Sequence, residues 1–310
     1  MRKITDYISV GIKGICMGAA DVVPGVSGGT IAFMTGIYEE LVGSINSFDA
    51  TAFRLLFTGK IGQFWKHING NFLLSVGIGI LISVFSIARV MQYLLADHPI
   101  QTWAFFFGLI VASSIFILKG IREWKIRDVL TTMAGIALGA VVCTLSPTQT
   151  PDGLWFIFLC GAIAICAMIL PGISGSFILL ILGKYEYIMS AISNLDIAVL
   201  AVFAVGAAVG IISFSKFLHW LLSRYHRQTL LVLAGFIIGS LVKVWPWSDM
   251  EAIVQSQYPG FAGDGDSISM MLMQNQIDYH IAGAVCFALL GFALVTGIEL
   301  AGKYLSRKNS

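Results

Sequence analysis

The chain has 310 residues, 57% of them apolar and 12% charged, with a mean hydropathy of +0.85. Soluble domains carry about a quarter charged residues, so this composition excludes an ordinary soluble globule and fits a polytopic membrane protein. A net charge of +2 points to no nucleic-acid partner, and Cys16, Cys143, Cys160, Cys166 and Cys286 form no CxxC or metal spacing, which excludes a disulfide framework or zinc centre.

In chain order, the first segment, "MRKITDYISVGIKGICMGAAD", has the basic start and Ala-Ala of a signal peptide. Lys13 and the glycines at 11, 14 and 18 interrupt its apolar stretch, and the segment belongs to the repeat described below, so we expect no cleavage. The apolar region 8–45 is interrupted by "PGVSGGT" at 24–30. Proline removes a donor and clashes with the preceding turn, and glycine adds freedom, so Pro24 and Gly25 predict a structural break. Three runs long enough to cross a bilayer follow, near 71–95, 100–118 and 128–146. The region 154–193 is then interrupted by "PGISGSF" at 171–177, where Pro171 and Gly172 repeat the break. Three more runs follow, near 197–222, 229–247 and 279–302, with a polar loop at 248–278 that is too short for a domain. Each broken region reads as two arms, either a re-entrant hairpin or two spans joined by a tight turn.

Aligning 24–49 with 171–196 gives ten identities in 26 positions (Pro, Gly, Ser, Gly, Ile, Gly, Tyr, Glu, Ile, Asp), an internal duplication. "QTWAFFFGLIVASS" at 101–114 pairs with "QTLLVLAGFIIGSL" at 228–241, so the offset drops from 147 to 127 and 147 − 127 = 20 residues are inserted after Asp49. The expected fold is all-α: one membrane domain over 1–310, with repeat one at 1–147 and repeat two at 148–310. Each repeat has one broken pair and three transmembrane helices. If each broken region enters and leaves on one face, Arg2, Lys3, Arg54, Lys60, Lys66, the cluster from Lys119 to Arg127, Arg224, Arg227, Lys303, Arg307 and Lys308 share that face. The opposite loops (97–99, 147–153, 248–278) then contain no Lys or Arg. The positive-inside rule puts both termini in the cytoplasm. Three crossings is an odd number, so the repeats have inverted topology, the plan of secondary transporters with midplane sites.

Irregular backbone in hydrocarbon must be buried in protein or line a polar cavity. Ser27, Gly28, Gly29 and Thr30, and likewise Ser174, Gly175 and Ser176, are expected to open helices whose first amides lack intrahelical partners and can receive an anion. The plainer reading is a pair of Ser-capped turns. Of the cations within the apolar runs, Lys13, Lys184 and Arg89 are candidates for anion binding, while Lys243, at a span end before "VWPW", is read as snorkelling to the interface. Asp21, Glu39 and Glu186 are candidates for proton coupling, with ion pairing or helix-end hydrogen bonding as the alternative. The five histidines are read as interfacial.

The stretch "GICMGAADVVPGVSGGTIAFMTGIYEELV" (14–42), with its echo "PGISGSFILLILGKYE" (171–186), closely resembles the PopT family of bacterial polyprenyl-phosphate transporters. The resemblance implies return of undecaprenyl phosphate, the lipid carrier of cell-wall and surface-polymer precursors, from the outer to the inner leaflet of the bacterial cytoplasmic membrane. It implies no cofactor, no metal and no enzymatic step; the partners are this lipid and the surrounding membrane. Carried over by position, it implicates Asp21, Pro24, Gly25, Ser27, Gly28, Gly29, Thr30, Tyr38 and Glu39, with Pro171, Gly172, Ser174, Gly175 and Glu186. In the second motif Gly29 and Thr30 become Ser176 and Phe177, so unequal half-sites are expected. The prenyl tail would trail in lipid through a lateral opening. Two alternatives remain: a transporter of a small soluble anion, and an integral-membrane polyprenyl lipid phosphatase, for which no buried His or paired-Glu motif is visible.

Overall fold

The computed structural model describes residues 4–22, 27–86, 88–146, 150–151, 153–258, 271 and 277–308. It is helical throughout, with no strand among the described residues. The first broken region comprises α1 (Ile4–Val22), α2 (Gly28–Met34) and α3 (Tyr38–Asn46). Pro24 and Gly25 lie outside the described residues. Next come α4 (Ala50–Phe57), α5 (Ile61–His67), α6 (Gly70–Ser86), α7 (Ala88–Asp97), α8 (Pro99–Lys119) and α9 (Ile126–Thr144). The second broken region is α10 (Leu154–Ile169), α11 (Gly175–Ile181) and α12 (Tyr185–Ser193). It is followed by α13 (Ile197–Arg224), α14 (His226–Gly239), a short 3-10 turn (Ser240–Val242), α15 (Met250–Gln257) and α16 (Ile281–Lys308).

Each broken region therefore holds three helices rather than two arms, because a second bend follows the first. At Thr35–Ile37 the Ile37 amide donates to Ala32 O (3.0 Å) and the Gly36 amide to Phe33 O (3.3 Å). At Leu182–Lys184 the Lys184 amide donates to Leu179 O and the Gly183 amide to Leu180 O, both at 2.9 Å. This is one helix-ending motif used twice, and it needs a left-handed residue; Gly36 (φ +72°) and Gly183 (φ +62°) supply it. Across the second bend α11 and α12 turn by 115°.

Helices α8, α9 and α13 are long and apolar enough to cross a membrane; apolar portions of α6, α10, α14 and α16 are shorter. The run at 71–95, expected to be one crossing, is divided into α6 and α7, and its polar residues Arg89, Gln92 and Asp97 belong to α7. The run at 229–247 leaves helical geometry after Val242. Residues 50–69, the insertion after Asp49, form α4 and α5, whose Phe53, Phe57, Ile61 and Trp65 are exposed beside Arg54, Lys60 and Lys66. A surface-lying amphipathic pair has this composition.

Four close helix pairs dominate the packing: α1 with α6, α10 with α13, α9 with α14, and α8 with α16. Lipid offers no hydrophobic drive for helix association, so backbone proximity through small residues must supply contact. A Cβ at Gly79 or Gly206 would collide with the backbone oxygen of Gly11 or Phe158. The main buried cluster joins α1, α2, α3, α6, α8, α10, α13 and α14, with Ala32, Val42, Phe72 and Ile237 fully enclosed. Lys216, which the charge sorting above leaves unplaced, is exposed on α13 two turns before Arg224.

Candidate functional site

Helix α2 begins at Ser27, whose backbone is extended and whose hydroxyl oxygen accepts from the Gly29 amide at 3.1 Å. Helix α11 begins at Ser174 in the same way, accepting from the Phe177 amide at 3.2 Å. Serine is selected here because its short side chain satisfies an amide that no earlier turn can reach.

These two starts lie against each other. The Gly172 amide donates to Thr30 Oγ1 at 2.7 Å, 142 residues away in sequence. Helix α10 ends before Pro171, so its last carbonyls lack intrahelical donors. The Ser27 hydroxyl reaches two of them, Leu170 O at 3.3 Å and Met168 O at 3.4 Å. Ser27, Thr30, Pro171, Gly172 and Ser174 are all buried. Buried polar groups are costly unless paired, and here the pairing runs from one heptad to the other.

The first start is also closed by a carboxylate. The Gly28 amide donates to Asp21 Oδ1 at 2.6 Å. A Cβ on Gly28 would lie 2.5 Å from Asp21 Oδ2, so only glycine admits this contact. The residue 147 positions on from Asp21 is Met168, and a Cβ on Gly175 would meet its Cγ at 2.8 Å. Methionine is at best a feeble acceptor; among the described residues the Gly175 and Ser176 amides have no hydrogen-bond partner. Gly29 presses on α10, where a Cβ would stand 2.7 Å from Ile169 O, whereas its counterpart Ser176 is exposed. Thus the two departures in the second heptad, at Ser176 and Phe177, fall where the first heptad touches its neighbour.

The remaining predicted residues are dispersed. Lys13 Nζ donates to Thr35 O at 2.7 Å, at the far end of α2 from Ser27. Lys184 is buried and donates to Thr150 O at 2.8 Å, with the Phe156 and Tyr187 rings 6.0 and 5.8 Å away. Both ammoniums are engaged by carbonyls and neither is brought to the junction of the heptads. Arg89 is in the first turn of α7, and its side chain lies outside the described residues. Glu39 Oε1 is 2.8 Å from His226 Nε2, with both side chains about half exposed, and Glu186 is exposed. Of the three carboxylates named for proton coupling, only Asp21 is at the junction.

Two cavities flank these elements. One, about 510 Å³, is lined by Phe33, Gly36, Tyr38, Glu39, Glu40, Ile117 and Leu230. The other, about 260 Å³, is lined by Ser176, Phe177, Leu180, Tyr185, Lys243 and Asp249. At an offset of 147, Phe33 corresponds to Leu180 and Tyr38 to Tyr185, so two lining positions of one cavity align in sequence with two of the other. Tyr38 is 2% exposed, and its hydroxyl has no hydrogen-bond partner among the described residues. No group of three His, Cys, Asp or Glu side chains suited to a metal occurs among the described residues. Sequence reasoning missed the Thr30–Gly172 bond and the role of Lys243 as a cavity wall. The only advance signal for either was the substitution pattern between the repeats.

Residues 17–260 match the VCA0040-like family, described as undecaprenyl phosphate translocase-like. The chain is 43% identical over 247 residues to the polyprenyl-phosphate transporter of Vibrio cholerae serotype O1 (strain ATCC 39315 / El Tor Inaba N16961), covering 80% of each chain. It is 34% identical over 254 residues to the polyprenyl-phosphate transporter of Staphylococcus aureus (strain NCTC 8325 / PS 47), covering 76% of this chain and 85% of that one. No solved structure matches the chain.

Proposed function

The chain belongs to the undecaprenyl phosphate translocase-like family, and from that premise we propose that it moves undecaprenyl phosphate from the outer to the inner leaflet of the bacterial cytoplasmic membrane. It is a transporter, not an enzyme, and its substrate is a polyprenyl phosphate. The inverted topology of 1–147 against 148–310, and the cytoplasmic placement of both termini, are parts of the same reading. In its support, exchanging the repeats turns the pair α1–α6 into α10–α13 and the pair α8–α16 into α14–α9.

The observation that carries the proposal is the hydrogen-bonded meeting of the two heptads, flanked by one cavity in each repeat. A phosphate crossing hydrocarbon alone would lose its water without replacement. At the junction, Ser27, Gly28, Gly29 and Thr30 with Ser174, Gly175 and Ser176 supply hydroxyls and amides in its place. In this conformation Asp21 holds the Gly28 amide, occupying the position an incoming phosphate oxygen would take. Entry of the headgroup displaces the Asp21 carboxylate, and a carboxylate left in an apolar surround takes up a proton. Proton coupling through Asp21 follows. The prenyl tail stays in lipid.

The test is reconstitution: proteoliposomes should move undecaprenyl phosphate between leaflets without releasing inorganic phosphate. Phosphate release would overturn the reading in favour of a phosphatase, and uptake of a soluble anion without lipid movement would favour the other alternative.

A further inference from the structure

Lys243 follows the 3-10 turn at the end of α14, and its Nζ lies 5.1 Å from the centroid of the Phe177 ring. The side chain is partly buried and forms no ion pair among the described residues. A ring face compensates an ammonium only weakly, and a cation withdrawn from water without a counter-ion is unfavourable. Of the other lysines within the apolar regions, Lys13 and Lys184 each have a backbone carbonyl at 2.7–2.8 Å, and Lys216 is exposed. Lys243 instead lines the 260 Å³ cavity, facing the exposed Ser176 and Tyr185. The corresponding cavity of the first repeat has no cation in its wall and two carboxylates, Glu39 and Glu40.

We propose that the Lys243 cavity is a capture subsite for the phosphate monoester head of the transported lipid, with Lys243 as counter-ion and the Ser176 hydroxyl as donor. This rests on the substrate reading above and adds a residue that selects charge at one mouth. A dianionic head meets a cation at the mouth bearing Lys243 and only carboxylates, Glu39 and Glu40, at the other, so the two mouths differ in charge. Asp249 stands on the same wall, where its Oδ1 accepts from the Ala252 amide at 3.1 Å.

Trp245 and Trp247 follow Lys243 two and four residues on, with ring centroids 5.4 Å apart, and tryptophan fluorescence is the readout. The experiment titrates the full chain in nanodiscs with farnesyl phosphate and, separately, with farnesol. For farnesyl phosphate, Lys243→Gln should raise the dissociation constant roughly tenfold or more, the usual scale for a charge-assisted contact. Lys243→Arg should stay within about threefold, and farnesol binding should be equal in all three proteins. If Lys243→Gln, or Lys243→Met should the Gln variant fold poorly, binds farnesyl phosphate within about twofold of wild type, the subsite is overturned while the substrate reading stands. Wild type that binds farnesyl phosphate no better than farnesol overturns both.

Discussion

Asp21 and Met168 stand at the same point of the two repeats, three residues before the proline of each heptad. Asp21 closes the Gly28 amide, and Gly29 and Thr30 press on the backbone around Ile169 and Gly172. Met168 closes nothing. Ser176 is exposed, and Phe177 carries the Lys243 cation over its ring. The same backbone motif is thus used once as a sealed contact between repeats and once as a cavity wall. The two heptads share the means of ending and restarting a helix, and their side chains differ in whether they pack against protein or face a cavity. The packing of the hairpins agrees: Tyr38 of α3 is 2% exposed and α3 packs on α13, whereas Tyr185 of α12 is 38% exposed.

The comparison breaks most readily at Gly29 and Ser176. Gly29→Ala places a methyl 2.7 Å from Ile169 O and 3.0 Å from Met168 O, against backbone that belongs to α10. Overpacking of this kind costs about 1–3 kcal/mol, so the apparent melting temperature should fall by several degrees and folded yield should drop. Ser176→Ala should stay within about 0.5 kcal/mol of wild type, as exposed substitutions usually do. Equal losses in thermal unfolding would show that both starts are sealed.

Next in size are the residues before the breaks. Asp21→Ala leaves the Gly28 amide buried and unpartnered, a loss of about 1–3 kcal/mol, and leaflet-to-leaflet flux should fall to background. Met168→Ala should keep flux within about threefold. Asp21→Asn sharpens the point, since its amide oxygen still accepts from Gly28 but binds no proton. It should fold like wild type and lose flux driven by a pH gradient. Wild-type proton-driven flux in Asp21→Asn would remove Asp21 from coupling. A milder effect is expected of Thr30→Val, which deprives the Gly172 amide of its acceptor at about 1–2 kcal/mol and should partly impair flux.

Much of this arrangement is legible in the sequence, because helix starts are written locally. Ser27 and Ser174, four residues into each break, cap the helices they were expected to open, and the change of offset after Asp49 marks α4 and α5. The second bend was equally local. "TGIY" and "LGKY" place a glycine where a left-handed residue ends the helix, a signal outweighed by the louder Pro-Gly nearby. What the sequence does not carry is partner choice at a distance. Lys13 and Lys184 were expected at the anion, but a carbonyl at the end of α2 (Thr35) and one in the connection before α10 (Thr150) take these ammoniums. Lys243 was expected to snorkel because it ends a run, and only the fold reveals Phe177 and Ser176 beside it. Nor does hydropathy distinguish one crossing at 71–95 from α6 followed by α7.

The smallest expected effect concerns Asp49 and Asp196, which are identical in the repeat alignment; α4 and α5 follow the first, and α13 follows the second directly. Each caps the following helix: Asp49 Oδ1 accepts from the Ala52 amide at 2.9 Å, and Asp196 Oδ1 from the Val199 amide at 3.2 Å. Alanine at either cap should cost about 1 kcal/mol at pH 7. Asp49 has a second partner, since His67 Nε2 of α5 is 3.1 Å from its Oδ1. The Ala52 amide, followed by His67, holds the Asp49 carboxyl below its ordinary value of 3.8. A carboxyl depressed in the folded state stabilises above its unfolded value, and that contribution is lost as pH falls through the folded one. The penalty for Asp49→Ala, measured by thermal unfolding, should therefore be full at pH 7 and shrink below about pH 4. A penalty unchanged down to pH 3 would mean that α4 and α5 do not depend on this charge, and that the first repeat's added hairpin is held only by its apolar face.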